Sequence, residues 1–219
     1  MKIYDDLKWS GNIRRDNGLI EEIILHHRAG NGDVESIDAY HKKLGWEGIG
    51  YHYYIRKNGD IYSGRPELMA GAHTKGHNIG TLGICFEGNF DIESMNPIQV
   101  DAGIDLIVSL MKKYPTIEKV SKHNDYNSTA CPGKYFPFQD IVDYVSYMLD
   151  MLGMLDREDP DMEGKTTYVP NVPSAWAKTE AAWAMDKKLI IGDEKGDIYW
   201  QKPVTKEELA IILKRALDK

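Results

Sequence analysis

The segment His123-Asn-Asp-Tyr-Asn-Ser-Thr-Ala-Cys131 sets an imidazole and a thiol eight positions apart, with Pro132 and Gly133 directly after them. Asn, Asp, Ser, Pro and Gly dominate this stretch, so it reads as a loop rather than a helix. Both side chains are ligands for a borderline-soft metal such as zinc. Upstream, the run Ile20-Glu-Glu-Ile-Ile-Leu25 ends directly in His26 and His27. If His26 joins His123 and Cys131, a metal has three protein ligands and one open position. That is the pattern of a catalytic site, not a closed structural one. A His–Cys pair by itself is more often two unrelated loop residues. The third candidate, at a strand end where sites tend to be built, is what strengthens this one.

The elements that must position these residues follow from pattern. Ile20–Leu25 is short, apolar and β-branched, and predicts a strand. Residues 36–45 predict a helix with Ser36 as N-cap and Gly45 as its stop. Residues 51–64 predict a hairpin turning at Asn58-Gly59. Leu82–Glu87 predicts another strand. Pro97 to Tyr114 predicts a helix, with Val100, Ile104, Ile107, Val108 and Met111 at helical spacing; Pro97 suits the first turn and Pro115 ends it. A short strand around Val120 leads into the His–Cys segment, and Phe138–Leu152 predicts an amphipathic helix. Residues 1–18 read as an irregular lead-in. The expected class is α/β, a mostly buried mixed central sheet flanked by helices.

With 219 residues, 42% hydrophobic and 28% charged, the composition is that of an ordinary globular protein. The net charge of −7 leaves no basic stripe to neutralise phosphates, which excludes nucleic acid as the main partner. No apolar run reaches bilayer length. The N-terminal residues lack the apolar core of a signal peptide, so the expectation is synthesis in the cytoplasm. Two cysteines, Cys85 and Cys131, make no disulfide framework.

Beyond the last predicted helix the composition shifts. Residues 153–173 carry an acidic run and Pro170 and Pro173, the signature of a solvated linker. Residues 174–219 read as a small α-helical module whose second helix opens on the capping box Thr205-Lys-Glu-Glu208. The domain expectation is therefore 1–152, a linker 153–173, and 174–219.

Residues 20–150 resemble the zinc-dependent N-acetylmuramoyl-L-alanine amidases of the amidase-2 type, which include phage lysozyme-type endolysins and animal peptidoglycan recognition proteins. The resemblance rests on Ile-Leu-His26-His27, Gly50-Tyr51-His52-Tyr53, Gly71-Ala-His73-Thr-Lys-Gly-His-Asn78, Leu82-Gly-Ile and His123-Asn-Asp…Thr129-Ala-Cys131-Pro-Gly, in the family's order. It implies zinc bound by His26, His123 and Cys131, a catalytic tyrosine at Tyr51, and a substrate-oxygen contact at Thr129, where some phage members carry lysine. It also implies substrate-contact positions at His73 and Asn78. Cys85 departs from a branch that has a catalytic glutamate in this strand. The module at 174–219 resembles a single S-layer-homology repeat, through Trp176-Ala, Ala182-Trp183-Ala and Leu189-Ile-Ile-Gly192. This implies binding to a secondary cell-wall polymer; assembly of several chains or a cap on the amidase unit are the alternatives.

On this reading the substrate is bacterial peptidoglycan, and zinc acidifies a water that attacks the amide between N-acetylmuramic acid and L-alanine. Tyr51 would hydrogen-bond the developing oxyanion. A protein without a signal peptide would reach the wall by holin-type release, as an endolysin does. The competing reading is a non-catalytic peptidoglycan-binding protein, which the presence of both Cys131 and Tyr51 disfavours. Among the other candidates, strand alternation turns His27 away from His26 and gives it a supporting role. His41 reads as surface, His77 as loop and His52 as structural. Glu87 is a minor acid–base candidate.

Overall fold

The computed structural model describes residues 2–5, 7, 9 and 16–155. The chain divides into two units, Met1–Asp156 and Arg157–Lys219. The linker, the S-layer-like module and its capping box lie outside the described residues, except that the final helix of the first unit continues to Leu155, three residues into the stretch read as linker.

Among the described residues the elements run in the order β1 (Ile3–Tyr4), β2 (Glu22–His27), α1 (Val34–Lys43), β3 (Tyr53–Ile55), β4 (Ile61–Ser63), β5 (Thr81–Phe86), α2 (Pro97–Lys113), β6 (Lys119–Lys122) and α3 (Phe138–Leu155), with a 3-10 turn at His123–Asp125. The six strands form one mixed sheet in the order β1-β4-β3-β5-β2-β6. Only the β3–β4 hairpin is antiparallel. The expected α/β class with a mixed, helix-flanked sheet is what the chain adopts.

Central strands covered on both faces carry no polar alternation. That is why β2 reads as a continuous apolar run: from Ile23 to His27 every residue is buried. Ile23, Leu25, Leu82, Ile84 and Phe86 pack beneath α2 and α3, against Val100, Ile104, Ile107, Ile141 and Val145. Cys85 and Tyr54 face the opposite way and pack against Val34 and Ile37 of α1. Alternation along β2 therefore sends His26 to the α1 face and His27 to the α2 side.

Several boundaries differ from expectation for local reasons. Helix α1 begins three residues early, because Asp33 rather than Ser36 is the N-cap; its carboxylate accepts the Ser36 amide at 2.9 Å. Helix α2 is capped by Asn96, which accepts the Gln99 amide, with Pro97 in the first turn as its fixed φ suits. The hairpin turn uses positive φ at Gly59 alone (85°). Strand β1, inside the stretch read as irregular, pairs with β4 through two residues, too few for a periodic signal. Cys85 and Cys131 are both free. Among the described residues no helix is long and apolar enough to cross a membrane.

Candidate metal centre and active site

Parallel pairing builds the site. Leu25 of β2 lies opposite Lys122 of β6, so the residues that follow, His26 and His123, leave adjacent strands side by side. Their rings are 4.6 Å apart, centroid to centroid. The chain then makes its 3-10 turn and loops back until the Cys131 carbonyl accepts the Asn124 amide at 3.0 Å. Cys131 Sγ comes to 3.8 Å from His26 Nδ1. One ligand atom each from His26, His123 and Cys131 lies within 4.8 Å of the others. Tetrahedral N and S ligands of zinc stand about 3.6 Å apart, so the three are nearly in place for a metal ion.

Each candidate ligand is held from behind. The His27 amide donates to Cys131 Sγ at 3.3 Å, and the His27 ring accepts from the Phe90 amide while packing near the Phe90 ring. That is the supporting role expected of His27. His123 Nε2 meets Asn127 Oδ1 at 3.1 Å, and the Asn127 amide nitrogen donates to the carbonyls of Lys75 and Tyr126. Such partners orient a ligating imidazole.

The electrostatics suit a cation. Burial pushes the pKa of His26 well below its ordinary value, and the neighbouring His123, His27 and His52 add to this. Burial also lowers His123, against the Asn127 contact. Both imidazoles are thus neutral, as ligation requires. Burial raises the Cys131 thiol to about 12, with the His27 amide pulling the other way. A buried thiolate in this place calls for a positive ion beside it. The residues fit a metal.

Tyr51 stands just before β3 on the same sheet face, its ring 5.2 Å from that of His26. Burial first, then the Cys85 thiol it contacts, raise its pKa well above the phenol range, so its hydroxyl keeps the proton. Thr129 is exposed, and its hydroxyl accepts the Cys131 amide at 3.2 Å. His73 is buried behind His26, with its Nδ1 3.1 Å from His26 Nε2. The Asn78 carboxamide oxygen accepts the amides of His73 and Thr74, at 2.8 and 2.9 Å. Substrate contact through these atoms of His73 and Asn78 would require those bonds to open.

His52 is structural, as expected: its ring bonds the Gly83 amide and the Met69 carbonyl. Glu87 is tied to the amides of Gly32 and Lys57 and to Arg56, which together hold it below the usual carboxylate range against the effect of burial. It has no contact with the cluster among the described bonds. His41 differs from expectation. It is buried, accepts the Gly50 amide at 3.0 Å, and packs 4.5 Å from Trp46 and 5.7 Å from Tyr51. Its signal was present: Val34, Ile37, Asp38 and His41 follow helical spacing, and all are buried.

These buried neutral histidines make a prediction. Burial lowers His41 and His52 from 6.5 to about 4. Below 6.5 the unfolded chain binds protons that the folded chain refuses, so this stability is complete above that pH and is lost as pH falls towards 4. His52, fully enclosed, contributes on the order of 3 kcal/mol, and His41, less completely desolvated, contributes less. The urea midpoint of chelated protein should therefore drop between pH 7 and pH 4.5; a flat midpoint would contradict the burial argument.

Comparison with known proteins agrees with the geometry. The family described as N-acetylmuramoyl-L-alanine amidase matches residues 16–134. The chain is 35% identical over 107 residues to the endolysin of Enterobacteria phage T3, covering 47% of this chain and 70% of that one. It is 31% identical over 122 residues to peptidoglycan-recognition protein SC2 of Drosophila melanogaster, covering 50% and 66%. Its fold is similar to the N-acetylmuramoyl-L-alanine amidase LysC of Clostridium intestinale, with TM-score 0.63 and 40% identity, covering 67% of this chain and 98% of that one. With His26, Tyr51, His123 and Cys131 in this order and clustered in space, this chain belongs to the N-acetylmuramoyl-L-alanine amidase family.

Proposed function

We propose that the centre formed by His26, His123 and Cys131 holds zinc, and that the protein uses it to cleave the amide between N-acetylmuramic acid and the L-alanine of the stem peptide. The observation that carries this is the convergence of two neutral imidazoles and a thiol within 4.8 Å beside Tyr51. A donor set of two nitrogens and one sulfur suits zinc, and its open position suits hydrolysis. When bound, zinc supplies Lewis acidity, which acidifies water towards about 7 and polarises a carbonyl oxygen.

The chain's own residues do the rest. Asn127 and His27 keep His123 and Cys131 aimed, so little rearrangement accompanies the reaction. Tyr51, whose phenol stays protonated, donates a hydrogen bond to the carbonyl oxygen as negative charge develops there. Thr129 accepts from the Cys131 amide and so keeps its own proton for a substrate oxygen. One neutral donor at an exposed position is a modest contributor: Thr129→Ala should lower kcat/KM about tenfold with zinc content unchanged. An unchanged kcat/KM would remove Thr129 from the mechanism. His73 and Asn78 enter as wall and support of the site.

The test of the activity is digestion of Gram-positive walls by purified protein. New free L-alanine amino groups without new reducing sugar ends are expected. Reducing ends would mean a glycosidase instead. Peptidoglycan binding without turnover is disfavoured by Cys131 and Tyr51 standing together. For residues 174–219 the reading is a wall-polymer-binding module, supported by their S-layer-like motifs. Deleting them should lower the fraction that sediments with walls; an undiminished fraction would refute that role. Holin-type release to the wall completes this reading.

A further inference from the structure

His26 is useful to a metal through Nδ1 only if its proton sits on Nε2, and the contacts behind it determine where that proton goes. We propose that His73 and Thr81 are positioning residues that hold His26 in the Nε2–H tautomer, leaving Nδ1 bare towards Cys131; this rests on the metal-centre reading above. The chain of contacts starts at a carbonyl. Thr81 Oγ1 lies 2.6 Å from the His77 carbonyl oxygen. A carbonyl has no proton to give, so the Thr81 hydroxyl donates there. Its remaining capacity is to accept, and its neighbour is His73 Nε2 at 3.4 Å. His73 therefore carries its proton on Nε2 and presents a lone pair at Nδ1.

That lone pair faces His26 Nε2 at 3.1 Å, so His26 must be the donor. The opposite polarity would require Thr81 to abandon its 2.6 Å bond for the 3.4 Å one, a poor exchange. Thr74 Oγ1 lies 3.0 Å from His73 Nδ1 and 3.4 Å from His26 Nε2, and its rotating proton serves either direction. It does not decide the polarity. Thr81 does.

The fold is built to hold His73 there. A Cβ on Gly83 would come within 2.5 Å of the His73 ring, and one on Gly71 within 2.3 Å. The imidazole occupies space that only glycine leaves on the strand beneath it. His73, Thr74 and Thr81 are all buried, so water offers no alternative partner of comparable access. On the other ring, Asn127 does for His123 what His73 does for His26.

The test reads proton positions and metal affinity separately. In metal-free, 15N-labelled protein, long-range 1H–15N correlation should find His26 and His73 protonated on Nε2. Thr81→Val, close in shape but unable to accept, should mix the tautomers and weaken zinc binding about tenfold in chelator competition, while Thr81→Ser should restore both. His73→Asn, whose carboxamide oxygen can accept from His26, should bind zinc more tightly than His73→Phe. A proton on Nδ1 of His26 in the wild-type protein, or Thr81→Val binding zinc as tightly as wild type, would overturn the proposal. If wild-type protein binds no zinc, the metal-centre reading fails instead, and the tautomer spectrum still decides the relay.

Discussion

Replacing Cys131 with serine should abolish both metal binding and hydrolysis while leaving the fold in place. The substitution changes one buried atom, and serine keeps a hydrogen-bond acceptor for the His27 amide that reaches Sγ. What it cannot supply is an anionic, soft ligand. The thiol is already held near 12 by burial, and a cation is what would make its thiolate affordable; a hydroxyl ionises far less readily. Loss of the metal removes several kcal/mol of transition-state stabilisation, so kcat/KM should fall about a thousandfold or more. Two controls separate chemistry from stability. Without zinc, both proteins should unfold at similar urea concentrations; with zinc, only wild type should gain stability, through ligand linkage. Retained turnover in Cys131→Ser would remove this residue from the metal set.

Tyr51→Phe carries the second large effect, and its signature is different. Zinc content should stay at one equivalent, because Tyr51 is not among the three converging ligands. Removing a donor aimed at an oxyanion costs about 2.7–4 kcal/mol, so kcat should fall on the order of a hundred- to a thousandfold. KM should move little, because the bond strengthens only as charge develops on the oxygen. Phenylalanine keeps the ring that packs near His26 and His41. A loss confined to KM would recast Tyr51 as a ground-state binding residue.

The three candidate ligands were legible in the sequence because each carried a local sign. His26 ended an apolar run, and His123 and Cys131 shared a turn-rich segment. Strands β2 and β5 were legible because both faces are buried and the runs are uniformly apolar. Other features were hidden because they exist only between distant segments. Asn127 is four residues from His123 and looks like one more turn residue until its ring contact is seen. Thr81 opens a strand, and nothing local marks it as the end of a chain of bonds running to His26 through residues 8 and 55 positions away. His41 was misread as surface because a histidine on a charged helix looks solvated; its burial becomes evident only when the apolar spacing of α1 is followed through it. Strand β1 is too short for any pattern, and its existence depends on β4, more than fifty residues later.

In the proposed mechanism a metal held by His26, His123 and Cys131 drives cleavage at the junction of glycan and stem peptide. The direct test strips purified protein with a chelator, adds one equivalent of zinc, and reads the products from intact peptidoglycan by mass spectrometry. No products are expected before zinc, and afterwards stem peptides beginning with a free L-alanine amine, paired with glycan strands bearing intact sugars and free lactyl carboxylates. Full activity in the stripped protein, or products cut within the glycan or inside the stem peptide, would contradict that mechanism.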